Sequence, residues 1–157
     1  MPDPERLMRM AIEAARRGIA AGQSPFGCAI ALGEQVVAVE HNTVRAPVDA
    51  TAHAEINALR TACSCVGDVH LAGAVVATTC EPCPMCLAAL YWARVDTIYF
   101  GATIEDAAAA GFNELPISAA EMVRLSGSSL KLVPGPLRDD CRRLFDQWRA
   151  RPGSQPY

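Results

Sequence analysis

At 157 residues and 51% hydrophobic side chains, the chain is long enough for one core that folds without covalent staples. A formal net charge of -3 argues against a protein that lives on phosphate backbones, although it leaves room for a local basic patch. The stretch MPDPERLMRM lacks the apolar run and cleavage site of a secretory signal, and Arg, Asp or Glu interrupts every apolar segment, so no membrane partner is expected. That places the chain in the reducing cytosol, where its seven cysteines, an odd number, are expected to stay reduced, the clustered ones serving a metal or catalysis and the others plainly buried.

Asp3 and Pro4 start a first helix, since aspartate caps free amides and proline suits the first turn; Leu7, Ala11, Ala15 and Ile19 recur at helical spacing until Gly22. CAIAL and QVVAV bracket Gly33-Glu34 and predict a β-hairpin from Cys28 to Val39, followed by a polar loop to Ala50. Thr51 is the expected cap of a second helix carrying AHAEINALRTAC, and AGAVVATT has the β-branched content of a buried strand. Pro82 is expected to open a third helix, PCPMCLAALYWAR, before a fourth strand, DTIYFGA. Helical turns in EDAAAAG and SAAEMVRL, a fifth strand in SLKLV and an amphipathic helix, LRDDCRRLFDQWRA, complete the order. Strands alternating with helices after a hairpin predict one three-layer α/β/α domain over residues 1–157, built on a five-stranded mixed sheet. The helical crossover between strands four and five makes those two parallel.

Chemistry concentrates in TTCEPCPMC, where Cys80, Cys83 and Cys86 recur at two-residue intervals. Cys83 and Cys86 lie one turn apart at a helix start, and His53 opens the preceding helix. The positive end of a helix and its unpaired amides favour thiolates, the form Zn²⁺ binds. One His and two Cys make three protein ligands, which leaves the fourth position to solvent, as in catalytic sites. Glu55, two residues after His53, is close enough to exchange protons with that water without being a ligand. Zinc lowers the pKa of water from about 15.7 to about 7, roughly 12 kcal/mol in the cost of hydroxide, whereas a positioned carboxylate adds about 10² to 10⁴ in rate. Metal activation is therefore the larger effect, with Glu55 carrying the proton to a ring nitrogen and then to a departing amine, in a hydrolytic deamination.

H-x-E followed by P-C-x-x-C is the general signature of zinc base deaminases. PFGCAI, HNTVRAPVDATAHAE, TCEPCPMCLAALYWAR and DAAAAGFNEL, together spanning Pro25 to Leu115, resemble the bacterial guanine deaminases built on the cytidine deaminase-like fold. The resemblance implies one zinc ion per chain on His53, Cys83 and Cys86, with Glu55 as the general acid/base. It implies that Asn42 bonds a purine base, Phe26 flanks it, the Ala54 backbone lines the pocket and an acid after Gly111-Phe112 binds the amino and ring N–H groups. Here that acid is Glu114, where relatives carry aspartate. It also implies a homodimer in which the C-terminal tail, about 151–157, is swapped so that Tyr157 closes the partner's site.

Other readings stay open beside these. Cys80 could close the zinc site as a fourth ligand, although Glu81-Pro82 should turn it away. Cys63 and Cys65 point apart, Cys28 and Cys141 suit a core, and His41 and His70 fall in loops. Phe26 and Phe112 could be core aromatics or pocket walls, and the arginines from Arg138 to Arg151 are interleaved with acids as on a solvated face. Rival functions are a tRNA adenosine deaminase, which would need a basic face, a deaminase of cytosine, isocytosine, guanosine or an aminotriazine, and a non-catalytic zinc-stabilised binding module.

Overall fold

The computed structural model describes all 157 residues. Helix α1 (Pro4–Ala20) starts where the Asp3 carboxylate accepts the Glu5 amide and Pro4 fills the first turn. Its apolar side, Leu7, Met8, Ala11, Ile12, Ala15 and Ile19, is buried. Strands β1 (Gly27–Leu32) and β2 (Gln35–His41) form the hairpin, turning at Gly33, whose φ of 60° glycine reaches without a Cβ clash. There follow α2 (Ala54–Val66), β3 (Val75–Cys80), α3 (Pro84–Trp92), β4 (Thr97–Ala102), α4 (Ile104–Ala109), α5 (Ala119–Ser126), β5 (Lys131–Pro134) and α6 (Arg138–Arg149).

The sheet order is β2-β1-β3-β4-β5. β1 runs antiparallel to both β2 and β3, while β3, β4 and β5 are mutually parallel. The mixed sheet and the parallel fourth and fifth strands are as the sequence predicts; the β3–β4 pair is parallel too, because α3 crosses between them. Alternate residues of β1 feed opposite cores: Ala29 and Ala31 pack with α1 and α6, whereas Cys28 and Ile30 pack with α2 and α3. These are the three layers.

Two local expectations are corrected. Thr51 does not cap the second helix, because its amide and hydroxyl are both taken by the Asp49 carboxylate. His53 stands at that N-cap instead, in extended conformation and without a capping hydrogen bond, so its ring is not spent on the helix's own amides. The third helix begins at Pro84 rather than Pro82, with Cys83 at its N-cap. Pro84 fills the first helical position, where no amide partner is needed.

Helix α1 lies directly on β1 at Gly27. A Cβ there would stand 1.9 Å from the Ala11 carbonyl oxygen, which is backbone and cannot swing aside. No helix is long and apolar enough to cross a membrane. Gly27→Ala is expected to cost at least about 2 kcal/mol, lowering Tm by about 4–8 °C for a chain of this size, as calorimetry would record.

Candidate metal centre and active site

The turn before α2 and the turn before α3 bring their N-caps face to face at one end of the sheet. His53 Nδ1 lies 3.6 Å from Cys83 Sγ and 3.4 Å from Cys86 Sγ. All three donor atoms lie within 4.8 Å of one another. A tetrahedral zinc with Zn–S of about 2.3 Å and Zn–N of about 2.05 Å requires sulfur and nitrogen about 3.6 Å apart, so the donor set fits that ion without rearrangement. Cys80 is not part of the cluster: its buried sulfur sits 3.4 Å from the Thr103 carbonyl oxygen, to which the thiol donates. Three protein donors remain.

The electrostatics favour a cation. A hydrogen bond from Cys86, helped by His53, pulls the Cys83 thiol down to about 4, while the same bond and burial hold the proton on Cys86. Burial opposes charge on His53, but its hydrogen bond with Cys83 and the nearby Glu55 outweigh that and raise its pKa. These contacts bias Cys83 toward the thiolate, at a helix N-terminus that stabilises it.

Glu55 is buried in the first turn of α2, only 6% exposed, and its Oε1 accepts a 2.9 Å hydrogen bond from the Thr78 hydroxyl on β3. Burial raises its pKa, with the His53 ring countering and the Cys83 charge adding. A carboxyl so held keeps its proton more readily than an exposed glutamate, a shift in the direction that suits an acid/base group.

A cavity of about 20 Å³ adjoins the donors, lined by Phe26, Asn42, His53, Glu55, Cys80, Glu81, Cys83, Glu114 and Tyr157. Seven of the nine sequence-predicted residues, all but Ala54 and Cys86, thus line one cavity, from six separate parts of the chain. Asn42 is fully buried; it donates to the Tyr157 hydroxyl at 2.6 Å and accepts the Val44 amide at 3.1 Å. Phe26 is both a pocket wall and a packed aromatic, its ring centroid 5.0 Å from Phe112 and 5.8 Å from Phe145. Phe112 belongs to the core beside Trp148 and touches the pocket through the edge of Tyr157. Ala54 is fully buried as the first residue of α2, where its amide has no intrahelical partner. Burial, then the Cys83 charge, pushes the Glu114 carboxyl up to about 7.

The C-terminal tail reaches the site of its own chain. The Tyr157 carbonyl accepts the Asn113 amide at 3.1 Å, its ring lies 5.7 Å from His53, and Arg45 donates to the Gln155 and Pro156 carbonyls. Sequence reading missed three supporting residues. Thr78 orients Glu55, Asn57 ties α2 to the His41 and Ala52 carbonyls, and the Glu81 side chain reaches two distant helix starts. Glu81 was visible only as part of the cysteine motif, and nothing local announces its partners. A larger apolar pocket between α3 and α5, about 160 Å³, offers serines as its only polar side chains apart from the aromatic tips and holds no acid, base or metal donor.

Residues 1–102 match the model of the cytidine and deoxycytidylate deaminase zinc-binding region. Guanine deaminase of Bacillus subtilis is 41% identical over 111 residues, 70% of this chain and 71% of that one. The tRNA-specific adenosine deaminase of Agrobacterium fabrum is 38% identical over 102 residues, 65% of this chain and 67% of that one. The structure of guanine deaminase from Nitrosomonas europaea superposes with a TM-score of 0.87 at 29% identity, covering 96% of this chain and 87% of that one. Fold and donor set together define a zinc-dependent aminohydrolase. Within that class, the chain belongs to the cytidine and deoxycytidylate deaminase zinc-binding family.

Cys83→Ala is expected to remove most of the one zinc ion bound per chain, measured by atomic absorption on purified protein. Full zinc content in that variant would remove Cys83 from the donor set.

Proposed function

We propose that the protein deaminates a free purine base, converting guanine and water to xanthine and ammonia. The observation that carries this reading is the meeting in one pocket of the zinc donors, the buried Glu55 and, from another part of the chain, a second carboxylate, Glu114. The likeness to two guanine deaminases supports it.

A bound zinc supplies Lewis acidity, which makes water nucleophilic near neutral pH. His53, Cys83 and Cys86 hold the ion, and the rest is done by the chain. Glu55, fixed by Thr78, takes a proton from the attacking water, delivers it to a ring nitrogen and then serves the departing amine. Glu114 accepts the N–H groups of the base, Asn42 bonds its other edge, Phe26 flanks its face and the Ala54 amide borders it. The lining contains three carboxylates, Glu55, Glu81 and Glu114, and neither Lys nor Arg. Such a field favours the N–H-rich edge of a neutral base over a phosphate placed in the same pocket. That separates the reading from nucleotide substrates, and a tRNA would have to bind through surfaces outside it.

A cavity of about 20 Å³ holds roughly one water, so a purine needs the wall to open, and Tyr157, at the chain's end, is the wall residue placed to withdraw. The tail is built for that. Beyond α6 its own bonds are local, Arg151 amide to Trp148 and Ser154 amide to Arg151, and only its tip grips the pocket. The same strap, about 151–157, can close the site of a second chain in a homodimer of single-domain subunits without altering either core. Light scattering tests this, since a strict monomer would remove the exchange.

Glu55→Gln is expected to keep zinc and fold while kcat falls by about 10² to 10⁴. Loss of zinc in that variant would make Glu55 a ligand instead. Ammonia release across guanine, guanosine, adenine, cytosine, isocytosine, an aminotriazine and a tRNA anticodon stem should be greatest for guanine. Glu114→Ala and deletion of Tyr157 should each lower kcat/KM for guanine about tenfold or more with zinc intact, since each removes a buried polar contact. Unchanged kinetics in both would take them out of the site.

A further inference from the structure

We infer that Glu81 is a positioning residue for substrate binding: one carboxylate that ties both ends of the Glu114-bearing pocket wall to the metal loop. Its Oε2 accepts the Ile104 amide at 3.1 Å and its Oε1 accepts the Ala119 amide at 3.0 Å. These are the first residues of α4 and α5, whose opening amides have no partner within their own helices. The Glu81 amide in turn donates to the Ala102 carbonyl at 2.8 Å, extending the β3–β4 ladder.

Between the two helices, residues 110–118 have no helix or strand of their own, and they carry Phe112, Asn113 and Glu114. A segment of that kind holds a fixed shape only if its ends are fixed. Glu81 holds one end directly, at Ala119, and steadies the other through the short helix α4, which it grips at Ile104; it stands two residues before Cys83. Glu81 thus links the metal loop to the segment that carries Glu114, alongside the packing of Phe112 and the bond from the Asn113 amide to the Tyr157 carbonyl. Charge is essential to this role, because two oxygens must each accept an N–H and a negative group at two helix starts is favoured by both. A glutamine of the same size offers one accepting oxygen and turns an NH₂ group toward the other amide.

The inference rests on the reading of residues 112–114 as a substrate wall. Glu81→Gln is therefore expected to raise KM for guanine about tenfold or more, with kcat changing less and zinc content unchanged. Hydrogen exchange over residues 112–117 should accelerate about tenfold or more in the same variant. Costs in KM from Glu81→Gln and Glu114→Ala should fall short of additive, since the first acts through the second. In the unaltered protein the Ile104 and Ala119 amides should exchange far more slowly than the opening amides of α6, whose N-cap Leu137 makes no capping bond. That measurement stands even where the variant fails to fold. Fast exchange at Ile104 and Ala119, a glutamine variant with ordinary KM and exchange, loss of zinc, or strictly additive costs would each overturn the proposal. If Glu114→Ala alone left KM unchanged, the substrate wall would fall and this inference with it, whereas unaltered exchange in Glu81→Gln overturns the inference alone.

Discussion

Everything in the site depends on two helix starts facing each other across a few ångströms. A helix N-terminus presents unpaired amides and a partial positive charge, and opposing two of them is unfavourable unless negative groups lie between. Here Cys83, whose thiol is pulled down toward the thiolate, stands between them, with Cys86, His53 and the acidic Glu55 completing the set. Stability of the fold and affinity for a cation are therefore one problem. The sheet supplies the geometry, because β1 and β3 lie side by side and carry α2 and α3 on the same face.

Around that centre the protein repeats one device: a carboxylate or amide side chain that satisfies backbone groups far away in sequence. Asn57 holds the loop bearing Asn42, and Glu81 spans two helix starts. Loops with few regular hydrogen bonds acquire defined positions in this way. Rigidity at the metal coexists with a tail gripped only at its tip, a division that suits a site which must hold its ion and exchange its substrate.

Most of the architecture was legible because it is encoded locally. Apolar spacing in α1, the Gly33 turn and the short apolar run of β1 each follow from residues a few positions apart. The metal donors were legible for the same reason, since Cys83 and Cys86 are neighbours and His53 carries Glu55 beside it. Helix starts were read less well. Thr51 has the right chemistry for a cap, but Asp49 competes for its hydroxyl and amide, and sequence cannot weigh that local contest. Pro82 and Pro84 are equally good openers on paper, and only the extension of β3 pairing through Glu81 decides between them. Thr78 and Glu81 were illegible because their partners lie 23 or more residues away.

The contact at Gly27 reaches further than its packing. Phe26, the aromatic flank of the pocket, is the residue before it, and its carbonyl receives the Asn42 amide at 3.0 Å. With the Ala11 carbonyl filling the room of a missing side chain, a helix on the opposite layer dictates where that flank stands. A change in this outer layer would therefore move the pocket wall at Phe26 and Asn42 while leaving His53, Cys83 and Cys86, which sit on other elements, where they are.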